Sequence, residues 1–254
     1  TRALDEGMDV PAFAAAVATR ARDALAPAVA LGSAHDVVLS PCGIGQLVRI
    51  FAASLSARAV RDGRSPLRGR LGERVASDGV TLWDEPACGK LSQVMRFDHE
   101  GVPTRAIAPV KDGRLEAFYY DAATAIEEGV EPNGHGVRVH GWSGSVGPGA
   151  IHLRLESGAA TDDVLLDGDA GAVVLPDPLA GVFTANPATG DFSVTSPYGF
   201  RASRGRVEGP LPPLVVAGNV HDILRRVSAV GRVARHVPEG VFPSVRLGGI
   251  TCTA

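Results

Sequence analysis

By residue type, the side chains able to do chemistry here are one cysteine at a turn, three histidines and a pair of acids. Cys42 follows Pro41 where a strand should give way to a helix, and a helix N-terminus can depress a thiol pKa and sharpen a nucleophile. No histidine can be assigned as its base, so it reads as a small packing residue. His135, His140 and His152 carry imidazoles that could be recruited to a metal, but their spacings fit no known site and two lie in a glycine-rich loop. Asp98 and Glu100 stand just before Gly101-Val102-Pro103-Thr104, either as turn residues or as carboxylates shaping a cleft. Gly141-Trp142-Ser143-Gly144-Ser145 ends in serine where a nucleophile elbow needs glycine, and no GxxxxGK[ST] pattern supports Ser145 to Gly149 as a phosphate loop.

The elements that would position these residues follow from periodicity and punctuation. Asp9 and Pro11 start a helix whose Phe13, Val17, Ala21 and Leu25 recur at helical spacing until Pro27. His35 to Ser40 reads as a short buried strand, and a second helix after Pro41 carries the stripe Ile44, Leu47, Val48, Phe51 and Leu55, wide enough to pack on a sheet. Residues 62 to 85 read as turns until a strand at Gly79 to Asp84. Arg105 to Val110 and Leu115 to Tyr120 flank Lys111-Asp112-Gly113-Arg114, an Asp-Gly hairpin signal. Pro132 to Gly149 predicts a mobile or partner-ordered loop. Further strands fall at Ala150 to Glu156, Ala172 to Leu175, Asp191 to Thr195, Leu214 to Ala217 and Ser244 to Leu247. Asn219 caps a helix with the stripe Ile223, Leu224, Val227 and Val230, ending near Gly231. The pattern predicts an α+β fold of mostly antiparallel strands framed by helices.

Bulk properties narrow the function. With 254 residues and 45% hydrophobic content the chain can bury a real core, in one large domain or two small ones. A net charge of −3 with scattered arginines supplies no basic field, which speaks against nucleic acid as a partner. Cys42, Cys88 and Cys252 are an odd number at wide spacing, as expected in a reducing compartment, so a cytoplasmic location is expected. No stretch approaches the ~20 apolar residues of a membrane span, and no signal peptide is recognisable, so no membrane association is expected.

Six segments in order resemble the C-terminal domain of the TldD/PmbA family, also called modulators of gyrase. They are HDVVLSP at His35 to Pro41, RDGRSPLRGRLGERVASDGVTLWDEP at Arg61 to Pro86, and FDHEGVPTRAIAPVKDGRLEAFYYDAATA at Phe97 to Ala125. TGDFSV at Thr189 to Val194, VAGNVHDILRRVSAVG at Val216 to Gly231 and PSVRLGGIT at Pro243 to Thr251 complete the set. The resemblance implies that residues 1–254 are one such domain, without the N-terminal domain that normally precedes it. It also implies pairing of two related subunits. One carries zinc on an HExxxH helix and a cysteine near its C-terminus; the other lacks the metal.

On that pattern the HExxxH positions hold Arg49, Ile50 and Ser54. A guanidinium has no lone pair to donate, isoleucine has no base, and a serine hydroxyl is a poor ligand at neutral pH. Gly231 to Phe242, where the zinc subunit places its cysteine, contains none. The resemblance is therefore to the non-catalytic TldE/PmbA-type subunit. No cofactor is expected in this chain; zinc is expected in a TldD-like partner with which it forms a heterodimer. A small, unfolded or modified peptide, such as a natural-product precursor, would be the substrate. Asp98, Glu100, His135 and Asn219 are the candidate cleft or interface residues. The alternative is a free-standing peptide-binding protein; a third reading is unrelated chemistry through Cys42 or a loop histidine.

Overall fold

The computed structural model describes residues 9–25, 31, 36–87, 94–138, 144–167 and 171–254. The first helix, α1 (Val10–Ala24), opens on Asp9, whose carboxylate accepts from the Ala12 N–H at 2.9 Å, with Pro11 in the first turn. Strand β1 (Asp36–Leu39) delivers the chain to α2 (Pro41–Ala53), capped by Ser40. The α2 stripe Ile44, Leu47, Val48 and Phe51, with Leu55 just past the helix end, is at most 1% exposed and forms the heart of the core. Gly45 lets α2 approach the sheet, since a Cβ there would meet the Phe242 ring at 3.1 Å.

After α3 (Ala57–Arg61) come β2 (Leu82–Asp84), β3 (Ile107–Lys111) and β4 (Arg114–Leu115). The turn between β3 and β4 has Asp112 and Gly113 at φ 48° and 76°, the left-handed pair an Asp-Gly hairpin demands. Then follow α4 (Ala122–Glu128), β5 (Gly136–Arg138), β6 (Val146–Pro148), β7 (Leu153–Leu155), α5 (Asp162–Leu166) and β8 (Ala172–Leu175). A 3₁₀ turn at Val182–Thr184 precedes β9 (Asp191–Ser196), β10 (Gly199–Ser203), β11 (Arg206–Leu211) and β12 (Leu214–Asn219). The chain closes with α6 (Val220–Leu224), β13 (Val227–Val237), β14 (Gly240–Gly248) and β15 (Thr251–Thr253).

Ten strands form one sheet in the order β11-β10-β8-β1-β14-β7-β2-β3-β4, with β13 also paired to β14. Its pairings are antiparallel except β1 with β8 and β14 with β7. A three-stranded sheet (β15-β12-β9) and the ribbon β5–β6 complete an α+β architecture of mostly antiparallel strands framed by helices.

Three local expectations are corrected. The helix capped by Asn219 stops at Leu224; Val227 to Val237 is instead a long strand with two register shifts against β14. Its valines suit a strand as well as a helix stripe, and pairing with β14 decides. The stretch 132–149, expected to be a loop, contributes the β5–β6 ribbon, residues 139–143 lying outside the described residues. The segment after β4 pairs only through Tyr119 and leads to α4.

Candidate functional site

One face of α2 is buried in the core, and the other borders a cleft of about 590 Å³. Its walls come from the second half of α2, α3, the β5–β6 ribbon and residues 187–188. Arg49, Arg58, Arg64, Arg138 and His99 line it together with apolar groups such as Ala53, Val137 and Ile151, and among the described residues no Asp or Glu does. Each arginine is oriented by the protein. Arg49 donates from Nη1 to the Ala150 carbonyl at 3.2 Å, and Arg138 to the Gly144 carbonyl at 2.7 Å. Arg58 donates to the Val146 carbonyl at 3.2 Å and pairs with the buried carboxylate of Asp121, which also caps α4 through the Thr124 N–H. Arg64 pairs with Asp62 at 2.8 Å. A second hollow of about 440 Å³ shares Arg49, Ala53 and Pro187 and continues past Ile50 to Phe183 and Glu239.

The three motif positions do not converge. Arg49 is exposed on the cleft, and Ile50 is half-buried at the second hollow. Ser54, the residue that ends α2, lies inside the protein at 2% exposure, with its Oγ 3.3 Å from His221 Nε2. These residues do not fit a zinc ion: a cation, a hydrocarbon and a hydroxyl already bonded elsewhere offer no convergent donor set. Among the described residues no group of three or more His, Cys, Asp or Glu side chains is placed to hold a metal.

The acids flanking His99 hold the cleft wall from behind. Asp98 is buried, accepting from the N–H groups of Glu100, Val102 and Gly136 at 2.9 to 3.0 Å, so one carboxylate ties its turn to β5. Glu100 accepts from the Ala122 N–H at 2.7 Å, at the start of α4. His99 between them faces the cleft and accepts through Nδ1 from the Arg138 N–H at 3.0 Å. His135 is fully buried, with Nδ1 bonded to the Asn133 carbonyl at 3.0 Å, its ring stacked on Tyr119 at 4.9 Å and Nε2 3.7 Å from Asp84. Burial pushes its pKa below the ordinary histidine value against the opposing pull of Asp84, and drives the Tyr119 hydroxyl well above its usual range. Asn219 caps α6 by accepting from the His221 N–H at 2.9 Å, and its amide donates to the Thr189 carbonyl and to Asp191. Neither His135 nor Asn219 borders the cleft.

Among the described residues His152 has no hydrogen-bond partner at either ring nitrogen, and burial lowers its pKa. Cys42 sits in the first turn of α2. Burial raises the Cys252 thiol to about 11, which keeps it protonated and unreactive. His140, Trp142 and Cys88 lie outside the described residues. Arg58, Arg64, Arg138 and His99 escaped sequence reasoning because they share no spacing; the Asp before Ala-Ala-Thr-Ala was the one legible trace, a helix cap that also fixes Arg58.

A sequence profile of the PmbA/TldA metallopeptidase C-terminal domain matches residues 32–254. A metalloprotease of Archaeoglobus fulgidus is 30% identical over 185 residues, covering 72% of this chain and 41% of that protein. Among solved structures, TldE from Thermococcus kodakarensis superposes with a TM-score of 0.76 at 27% identity, over 87% of this chain and 50% of that one. A Thermotoga maritima protein described as a modulator of DNA gyrase gives 0.82 at 28% identity, over 92% of this chain and 53% of its own. The chain thus spans about half the length, or less, of these relatives. A match that runs through the core sheet, α2 and the whole cleft wall places this chain in the TldD/PmbA metallopeptidase family, over its C-terminal domain.

Proposed function

We propose that this chain is the metal-less subunit of a two-component TldD/TldE-type peptidase, pairing with a zinc-bearing homologue and forming one wall of the path that an unfolded, small or modified peptide takes to the metal. One observation carries the reading: Arg49 and Ile50 border an intact cleft where a zinc-bearing relative would present its ligand and base, and Ser54 is turned into the core against His221. Zinc would then belong to the partner, whose open coordination position takes the attacking water. In a reducing cytoplasm neither Cys42 nor Cys252 needs a disulfide.

The test is reconstitution. Mixed with a zinc-bearing homologue encoded beside it, the chain is expected to run as one heterodimer by mass, and peptide cleavage is expected only with both present. Metal analysis of the chain alone is expected to give well under one tightly held zinc per chain. Separate species, with a homologue that cleaves equally well alone, would favour a free-standing peptide-binding protein. About one chelator-resistant zinc per isolated chain would end the metal-less reading.

A further inference from the structure

The cleft of about 590 Å³ is lined by cations and, among the described residues, by no carboxylate, while Glu239 lines the adjoining hollow that Arg49 also borders. Arg58 is neutralised by Asp121 and Arg64 by Asp62, but Arg49 and Arg138 have no carboxylate partner among the described residues. Both are held in place through backbone carbonyls, Ala150 for Arg49 and Gly144 for Arg138, which orient a guanidinium without cancelling its charge. Among the described residues each side chain spends one N–H on that bond, leaving most of its five donors for a ligand. A concave, largely apolar surface with a few convergent donors is the usual form of a ligand site. Planar, forked donors match a carboxylate better than a point charge does.

We propose that this cleft is a carboxylate-binding site in which Arg49 and Arg138 take an anionic group of an extended peptide, either its C-terminal carboxylate or an acidic side chain. The inference rests on the partner-subunit reading for the ligand being a peptide, and deepens it by assigning the charge of the peptide. Ala53, Val137 and Ile151 supply the apolar surface on which neighbouring side chains lie. The chain would thus select substrates by an anion while the partner supplies the chemistry.

Four labelled peptides of one length test this by fluorescence anisotropy on the whole chain: neutral or acidic in sequence, each with a free or an amidated C-terminus. Peptides with a carboxylate are expected to bind about tenfold or more tightly than the neutral amide. Raised salt should erode that preference. The acidic amide and the neutral free acid report separately whether side chain or C-terminus is read. Arg49→Gln and Arg138→Gln are each expected to lose about tenfold for carboxylate peptides and nothing for the neutral amide, with thermal melts showing both variants folded. Arg49→Lys, which keeps charge without the fork, should recover part of the loss. Equal binding of the neutral amide, no binding of any peptide, or an unchanged preference in the folded double variant would overturn the proposal. Assembly with the zinc-bearing homologue is followed separately by mass. A heterodimer that cleaves without carboxylate preference sinks only this inference, whereas carboxylate binding without a heterodimer sinks only the partner reading.

Discussion

Asp121 serves two elements with one carboxylate: Oδ1 caps α4 and Oδ2 pairs with Arg58 at the cleft. The two roles separate by substitution. Asp121→Asn keeps a good capping group but strips the charge opposite Arg58, with an expected loss of about 1–3 kcal/mol, discounted because Arg58 is partly exposed. Asp121→Ala removes the cap as well and should cost about 1 kcal/mol more, both read by urea unfolding. His221 sets a pH response. Burial lowers its pKa from 6.5 to about 4, helped by Arg225 and Arg70, so the neutral ring is the folded form. Between those two values an unfolded chain takes up a proton that the folded one refuses. Stability should therefore fall as pH drops through that window, by at most about 3 kcal/mol from this residue, and His135 and His152 act in the same direction. His221→Gln should flatten the dependence of melting temperature on pH between 6.5 and 4; an unchanged slope would show that other groups carry it.

At the scale of elements, α2 was legible because Ile44, Leu47, Val48 and Phe51 repeat on one face and all four are buried. The β3–β4 hairpin was legible because Asp-Gly tolerates the positive φ that the two central residues of a tight hairpin turn require. Where two states share a pattern, the sequence was silent: Val227 and Val230 extend the α6 stripe as readily as they begin β13, and only the β14 partner chooses. The turn from β13 into β14 can be tested directly. Gly240 has φ 146°, and a Cβ there would land on the Leu153 carbonyl, so Gly240→Ala should cost about 3 kcal/mol or more. Gly69 also has positive φ, at 73°, but meets nothing within 4 Å, so Gly69→Ala should cost only about 1 kcal/mol. Similar losses at both sites, measured by denaturant midpoint, would show that φ and not the clash dominates.

At the scale of the whole molecule, the cleft was illegible in the sequence for a physical reason. Arg49 reaches a carbonyl 101 residues away and Arg58 one 88 residues away, so no spacing rule brings them together; the sheet does. The candidate acids were found by type, but only the fold shows that Asp98 and Glu100 brace a wall that His99 faces. The same long-range closure governs how the protein is made. Strand β1 lies between β8 and β14, and Asp36 bonds Arg246, 210 residues later. At roughly 5–20 residues per second, a ribosome needs about 10–40 s to supply that last neighbour, and until then Val37 to Leu39 have one side of their backbone without a strand to pair with. A nascent chain arrested before Val245 therefore exposes an apolar strand edge at the middle of its sheet, and products truncated there are expected to aggregate in a pelleting assay where the whole chain stays in solution.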